Sequence, residues 1–214
     1  MKTLFNKSAI ILFTIIIIAG LFSCSKQQQR VNNLNPDFKK YFDYQPGSYW
    51  VFYDSLNHHM DSLAVIGYTD KQVTINQGII DEEVAIGMGE QNLDSLTNGI
   101  EWVLDLSSSY NSTLTIDIGF NEMVYGIADK MPFITGKNID NKYDSGSYRQ
   151  TTLFSSYNIE NTTYNNVYQI LYYYNATSYS DTFYINKDNG FIAILLNNQH
   201  LHKRLFLKMG IIVH

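Results

Sequence analysis

Apolar positions along this chain fall into two patterns. From residue 9 to residue 22 they are continuous except for Thr14 and Gly20; beyond the first 36 residues they alternate with polar ones or gather in short aromatic and β-branched runs. The first pattern spans 14 residues, whereas a membrane-spanning helix takes about 20. It follows Lys2 and Lys7 with no acid before it, the layout of a signal-peptide core. The second pattern predicts strands. Thr113 to Ile118 is the cleanest, with Leu114, Ile116 and Ile118 on one face and Thr113, Thr115 and Asp117 on the other. Further strands are predicted over 49–54, 61–69, 79–88, 148–159, 163–174, 179–186, 191–196 and 201–213. The breaks between them carry turn chemistry, at Asn57-His58-His59-Met60, Asn76-Gln77-Gly78 and Lys187-Asp188-Asn189-Gly190. Sustained helical periodicity is absent, and one short helix is expected over 121–130. Short connections favour an antiparallel meander. The expected fold is all-β, an antiparallel meander curled into a half-barrel or sandwich with little helix.

The strand at 49–54 refines that expectation. Pro46 and Gly47 make the turn into it. Trp50 and Phe52 then point to one side, and Tyr49, Val51 and Tyr53 to the other. Large apolar bodies on both faces require cover on both sides, or a sheet curled so that one face is concave. At the other end of the chain, Ile211-Ile212-Val213 is expected to lie buried in the last strand.

The apolar N-terminal run ends in Leu21-Phe22-Ser23-Cys24, which resembles the lipobox of bacterial lipoproteins. The resemblance implies cleavage between Ser23 and Cys24 and lipid on Cys24. Residues 1–23 then leave as a signal peptide, 24–36 form the lipidated Cys and a flexible, Gln-rich tether, and 37–214 form the β domain. The β domain is further expected to hold two similar halves with a boundary near 128–136, as a resemblance at Met131–Gly136 given below implies. Ser25 stands where the family's inner-membrane retention rule asks for Asp, and the tether after it holds no acid. Together these imply the outer membrane, on the periplasmic rather than the surface side. The run Tyr41-Phe42-Asp43-Tyr44-Gln45-Pro46-Gly47-Ser48-Tyr49-Trp50-Val51-Phe52-Tyr53 resembles the opening of a group of Bacteroidota-type lipoproteins with a Gly-x-x-Trp β-rich domain. Met131-Pro132-Phe133 with Gly136 resembles a degenerate second copy. That resemblance implies a curled antiparallel sheet and no particular chemistry.

Composition narrows the function further. The chain is 45% hydrophobic and 16% charged, with 17 Tyr and 12 Phe, which suits strands. Losing residues 1–23 removes two lysines and no acid, leaving 13 basic against 20 acidic residues, a charge of −7. Such a chain lacks the basic surplus that phosphate contacts need, so nucleic acid is not an expected partner. Its single Cys goes to lipid, leaving burial to hold the fold; two or more acyl chains give a stable anchor where one does not.

No catalytic motif stands out. His58 and His59 are neighbours in an extended chain and point apart; His200 and His202 have ligand spacing, but Arg204 and Lys208 share their face on a regular strand. Asp54, Asp61, Asp94 and the Asp81-Glu82-Glu83 run could pair carboxylates, though acidic clusters are usually solvated. Gly87-Met88-Gly89 lacks the continuation of a phosphate loop. No metal and no cofactor are therefore expected. Asp54-Ser55-Leu56, Asp61-Ser62-Leu63 and Asp94-Ser95-Leu96 resemble short periplasmic O-glycosylation acceptors, which makes Ser55, Ser62 and Ser95 candidate glycan sites. The expected function is a lipid-anchored, non-catalytic accessory or binding protein of the envelope, with the membrane as one partner and an envelope protein or glycan as another. Two alternatives remain: a carrier of a hydrophobic ligand in a half-barrel cavity, and a hydrolase with no recognisable motif. A deep apolar cavity favours the first, and converging carboxylates or His beside a cleft the second.

Overall fold

A computed structural model describes residues 29–76, 79–92, 101–108, 113–118, 123–127, 136–139, 148–174, 179–197 and 202–214. Among the described residues thirteen strands join one sheet: β1 (Arg30–Asn32), β2 (Tyr49–Asp54), β3 (His59–Asn76), β4 (Ile79–Asn92), β5 (Glu101–Ser107), β6 (Thr113–Ile118), β7 (Met123–Ile127), β8 (Gly136–Ile139), β9 (Tyr148–Ile159), β10 (Thr162–Tyr174), β11 (Tyr179–Asn186), β12 (Gly190–Asn197) and β13 (His202–Ile211). One helix, α1 (Pro36–Phe42), precedes β2. The strand order is β7-β6-β5-β4-β3-β2-β13-β12-β11-β10-β9-β8. Two antiparallel meanders, β2 to β7 and β8 to β13, are thus joined where β13 pairs with β2. The sheet curls into a half-barrel, and the all-β expectation holds. It is mixed rather than purely antiparallel, because β1 lies parallel to the start of β4.

Alternation along the strands explains the curl. Trp50 and Phe52 are buried, while Tyr49, Val51 and Tyr53 are half-buried on the opposite face. The same parity brings Leu63, Ile86, Leu104, Ile170, Phe183 and Leu205 from six other strands into one core. Phe38, Phe42 and Tyr44 belong to that core and are 0% exposed. The segment ahead of β2 therefore covers the concave face with its own rings. Tyr44 packs edge-on against Trp50, centroids 4.9 Å apart, and Tyr41 packs the same way against Tyr168 at 5.6 Å. Trp50 Nε1–H donates to Asn189 O at 2.8 Å, fastening β2 to the β11–β12 turn. Gly190 sits at φ +61°, and a Cβ there would come within 2.9 Å of Tyr44 Oη and 3.1 Å of Trp50 Cζ2. Burial pushes the Tyr44 hydroxyl's pKa up, so it stays neutral.

Three expectations need correction. Residues 30–36 are not tether: β1 pairs with β4, Leu34 is 3% exposed, and Asn35 caps α1 by accepting the Asp37 N–H. The acids at 81 and 82 cause this. Asp81 Oδ1 accepts from Asn32 Nδ2 at 2.6 Å, and Glu82 accepts the Leu34 N–H at 2.7 Å and pairs with Lys39. Burial tends to lower the Lys39 pKa, but Glu82, Asp70 and Asp43 together raise it. The helix expected over 121–130 is also displaced. Residues 123–127 form β7, whose Tyr125 pairs with Ile116, and the rest of that stretch lies outside the described residues. At the C-terminus, β13 ends at Ile211; Ile211 and Val213 are 53% and 39% exposed. Only Ile212 packs on the core, while Val213 holds by its backbone, donating to Ser48 Oγ at 2.9 Å and accepting from Gln45 N–H at 2.8 Å.

Candidate binding site at one end of the half-barrel

The parity that buries Trp50 and Phe52 also turns Asp54 inward at the end of β2, and it turns Asp61 inward on β3 ahead of Leu63 and Val65. Both carboxylates are buried, at 0% and 1% exposure. The two strands' pairing, Phe52 with Asp61 and Asp54 with His59, brings them to one end of the concave face. On β13 the inward Leu205 pairs with Asp54, and Lys203 shares its parity. Lys203 Nζ donates to Asp61 Oδ2 at 2.9 Å. His59 Nε2 lies 3.0 Å from Asp61 Oδ1, close enough for an ion pair but not aligned for a hydrogen bond.

Asp54 is fully engaged. Its Oδ1 accepts the N–H groups of Leu56 at 2.9 Å, Arg204 at 3.3 Å and Asn57 at 3.4 Å, and its Oδ2 accepts from Asn57 Nδ2 at 2.8 Å. Burial is the largest single influence and raises its pKa. The hydrogen bonds from Asn57, Leu56 and Arg204 together outweigh it, so the net shift is downward. Asp181, buried on β11, similarly accepts the Asn197 N–H at 2.7 Å.

Beside this cluster lies a pocket of about 350 Å³, lined by Leu56, Ser180, Thr182, Leu195, Leu196, Asn197, His202, Lys203, Arg204 and Phe206. Its size falls at the small end of ligand sites. The lining mixes aliphatic and aromatic walls with hydroxyl, amide and cationic donors, which suits a small polar ligand with an apolar part.

Asp54, His59 and Asp61 offer donor atoms within 4.8 Å of one another, a set the histidine spacing did not anticipate. It suits a divalent ion poorly: both Asp54 oxygens already accept N–H groups, and the Lys203 ammonium already faces Asp61.

The other sequence candidates separate. Cys24, the Ser23–Cys24 bond, Asp94, Ser95, His200 and Met131-Pro132-Phe133 lie outside the described residues. Ser55 is half-buried in the β2–β3 turn, where its N–H donates to Arg204 O at 2.9 Å; Ser62 lies mid-strand on β3 between Val51 and Gln91. His58, at φ +57°, meets Tyr53 Oη through Nδ1 at 3.1 Å, whereas His59 turns to Asp61, so the pair does point apart. His202 is exposed and meets Asn197 Oδ1 at 3.0 Å. A register shift between Leu207 and Met209 interrupts the regular alternation that put Lys208 with His202; Lys208 instead pairs with Glu160 and lies over the Tyr53 ring. Gly87-Met88-Gly89 is mid-strand on β4, with the Ile66 side chain lying over both glycines. Among the tyrosines, Tyr168 and Tyr172 join the main core, while Tyr157 and Tyr184 stack at 4.9 Å in a second cluster. Burial first, and the Tyr157 hydroxyl next, push the Tyr184 pKa up to about 12.

Lys203 and Asp181 escaped the sequence reading. Both are polar residues two places from an inward apolar one, Leu205 and Phe183, and that parity was the available signal. No protein-family model, curated protein or solved structure matches this chain.

Proposed function

We propose that the mature chain is a lipid-anchored, non-catalytic accessory or binding protein of the cell envelope, held at the outer membrane through Cys24 and facing the periplasm. The observation that carries this reading is the concave face covered by the chain's own rings, with Phe38, Phe42, Tyr44 and Trp50 all 0% exposed. A sheet filled in this way binds through its rim and outer surface, and the pocket beside Lys203 is the place for a small glycan or peptide group. Anchoring is tested by acyl-label incorporation: wild type should take up label and mature, and Cys24→Ser should do neither. Equal label in both would overturn the anchor.

The carrier alternative predicts saturable uptake of a fluorescent fatty acid by soluble protein lacking residues 1–23 and carrying Cys24→Ser. The filled core predicts no saturable uptake. Saturable binding, lost when a core tyrosine such as Tyr168 is replaced, would favour the carrier. The hydrolase alternative has the His59–Asp61 approach beside the pocket in its favour. Against it, the neighbouring Asp54 is held by four N–H contacts and Lys203 neutralises Asp61, the pattern of a structural cluster.

A further inference from the structure

The tether is short once β1 belongs to the fold. Arg30 opens β1, six residues after Cys24. A fully extended chain rises at most about 3.6 Å per residue, so six residues reach roughly 22 Å. Whatever surface surrounds Arg30 must therefore stay close to the bilayer that holds the lipid.

That surface is the β3–β4 end of the sheet, whose described residues include the aliphatics Val31, Ile75, Ile79 and Ile80. Register places Val31 beside Ile80 and Ile80 beside Thr74, a row two strand spacings wide, about 10 Å. A register shift between Thr74 and Asn76 leaves Ile75 out of the ladder. Val31 is 46% exposed and Ile75 is 45% exposed, with Ile79 and Ile80 half-buried next to them. The charge at this end suits a lipid headgroup region. Arg30 is exposed, whereas Asp81 is 2% exposed and accepts from Asn32, and Glu83 faces Lys71 at 3.7 Å. Exposed aliphatics beside a cation, on a six-residue leash from an acylated Cys, fit the interfacial layer of a bilayer.

Resting on the anchor reading, we propose that the β3–β4 end, led by Val31 and Ile75, seats on the membrane that carries the Cys24 lipid. The pocket by Lys203 adjoins the β2–β3 turn at the other end of the eighteen-residue β3, so this seating presents it away from the lipid surface.

The experiment uses the full mature lipoprotein in phosphatidylethanolamine–phosphatidylglycerol vesicles. Cys24 is the only native cysteine and its sulfur carries lipid, so Ile75→Cys supplies a unique thiol for an environment-sensitive dye. Leu56→Cys, in the β2–β3 turn, is the reference position: Leu56 is 44% exposed and meets Asp54 only through its backbone N–H, which the substitution keeps. Lipids with a shallow nitroxide quencher should quench the dye at 75 at least twofold more than the dye at 56. Adding Val31→Asp should reduce that quenching towards the reference value. Equal quenching at 75 and 56 in protein that floats with the vesicles would overturn the seating and leave the anchor intact. Protein that fails to float would overturn both. Dye self-quenching at 75 without lipid quenching would identify a second copy as the occupant and likewise overturn the proposal.

Discussion

Trp50→Ala is expected to lower unfolding free energy by about 5 kcal/mol in urea titration of the soluble form. Removing a fully buried Trp ring from a packed core typically costs about 3–5 kcal/mol, transfer and residual cavity together. The Asn189 carbonyl then loses its donor, which adds about 1–3 kcal/mol where no water reaches it. Tyr44 and Phe191, with centroids 4.9 and 6.2 Å from the Trp ring, cannot collapse into the space without pulling on the turn at Gly190. A single domain has about 5–15 kcal/mol in total, so this one change removes a large share. Trp50→Phe keeps most of the ring and should lose only about 1–2 kcal/mol, chiefly the hydrogen bond. A loss below about 2 kcal/mol for the alanine variant would mean that the concave face is not packed as described.

Asp54→Ala comes next, with an expected loss of about 3 kcal/mol at neutral pH. Three backbone N–H groups and the Asn57 amide would lose their acceptor at the β2–β3 turn. The effect depends on pH, with a definite sign. The folded-state pKa of Asp54 is lowered from an unfolded value near 3.9. Its stabilisation is therefore fully present above roughly pH 5 and fades as pH falls through the folded value. The gap between wild type and Asp54→Ala should be constant from neutral pH down to about 5 and should narrow below about 4. A gap that widened on acidification would show that the carboxyl is held in its protonated form.

Strand content was legible because alternation is a local property. The 113–118 and 148–159 runs end where β6 and β9 end, and Trp50 and Phe52 announced a curled sheet by crowding one face opposite three other large residues. The helix was missed although its signal was printed: Asn35-Pro36-Asp37 is an N-cap, a first-turn Pro and a first-turn acid. At seven residues it is too short to show a period, and the Asn- and Gln-rich stretch before it read as tether. The parallel strand β1 could not be read locally, since it depends on Asp81 and Glu82 reaching residues 48 and 49 positions earlier. The site was half legible. Asp54 and Asp61 were candidates, but only the strand register sets them against Lys203 from 142 positions away. The opposite error, at Ile211 and Val213, came from equating apolar with buried at a strand end, where the two side chains are 53% and 39% exposed.

The pairing of β2 with β13 has a consequence in time. Arg204 donates its N–H to Asp54 across a separation of 150 residues, so the strand that carries Trp50 cannot be completed until nearly the last residues are present. Contacts of such range make folding slow, because the closure entropy falls due before the contacts reward it. If the chain is exported N-terminus first, as the proposed anchor requires, it holds no complete β2–β13 seam to unravel while its C-terminal part is still being made. Its two halves can close on each other only once β13 has followed.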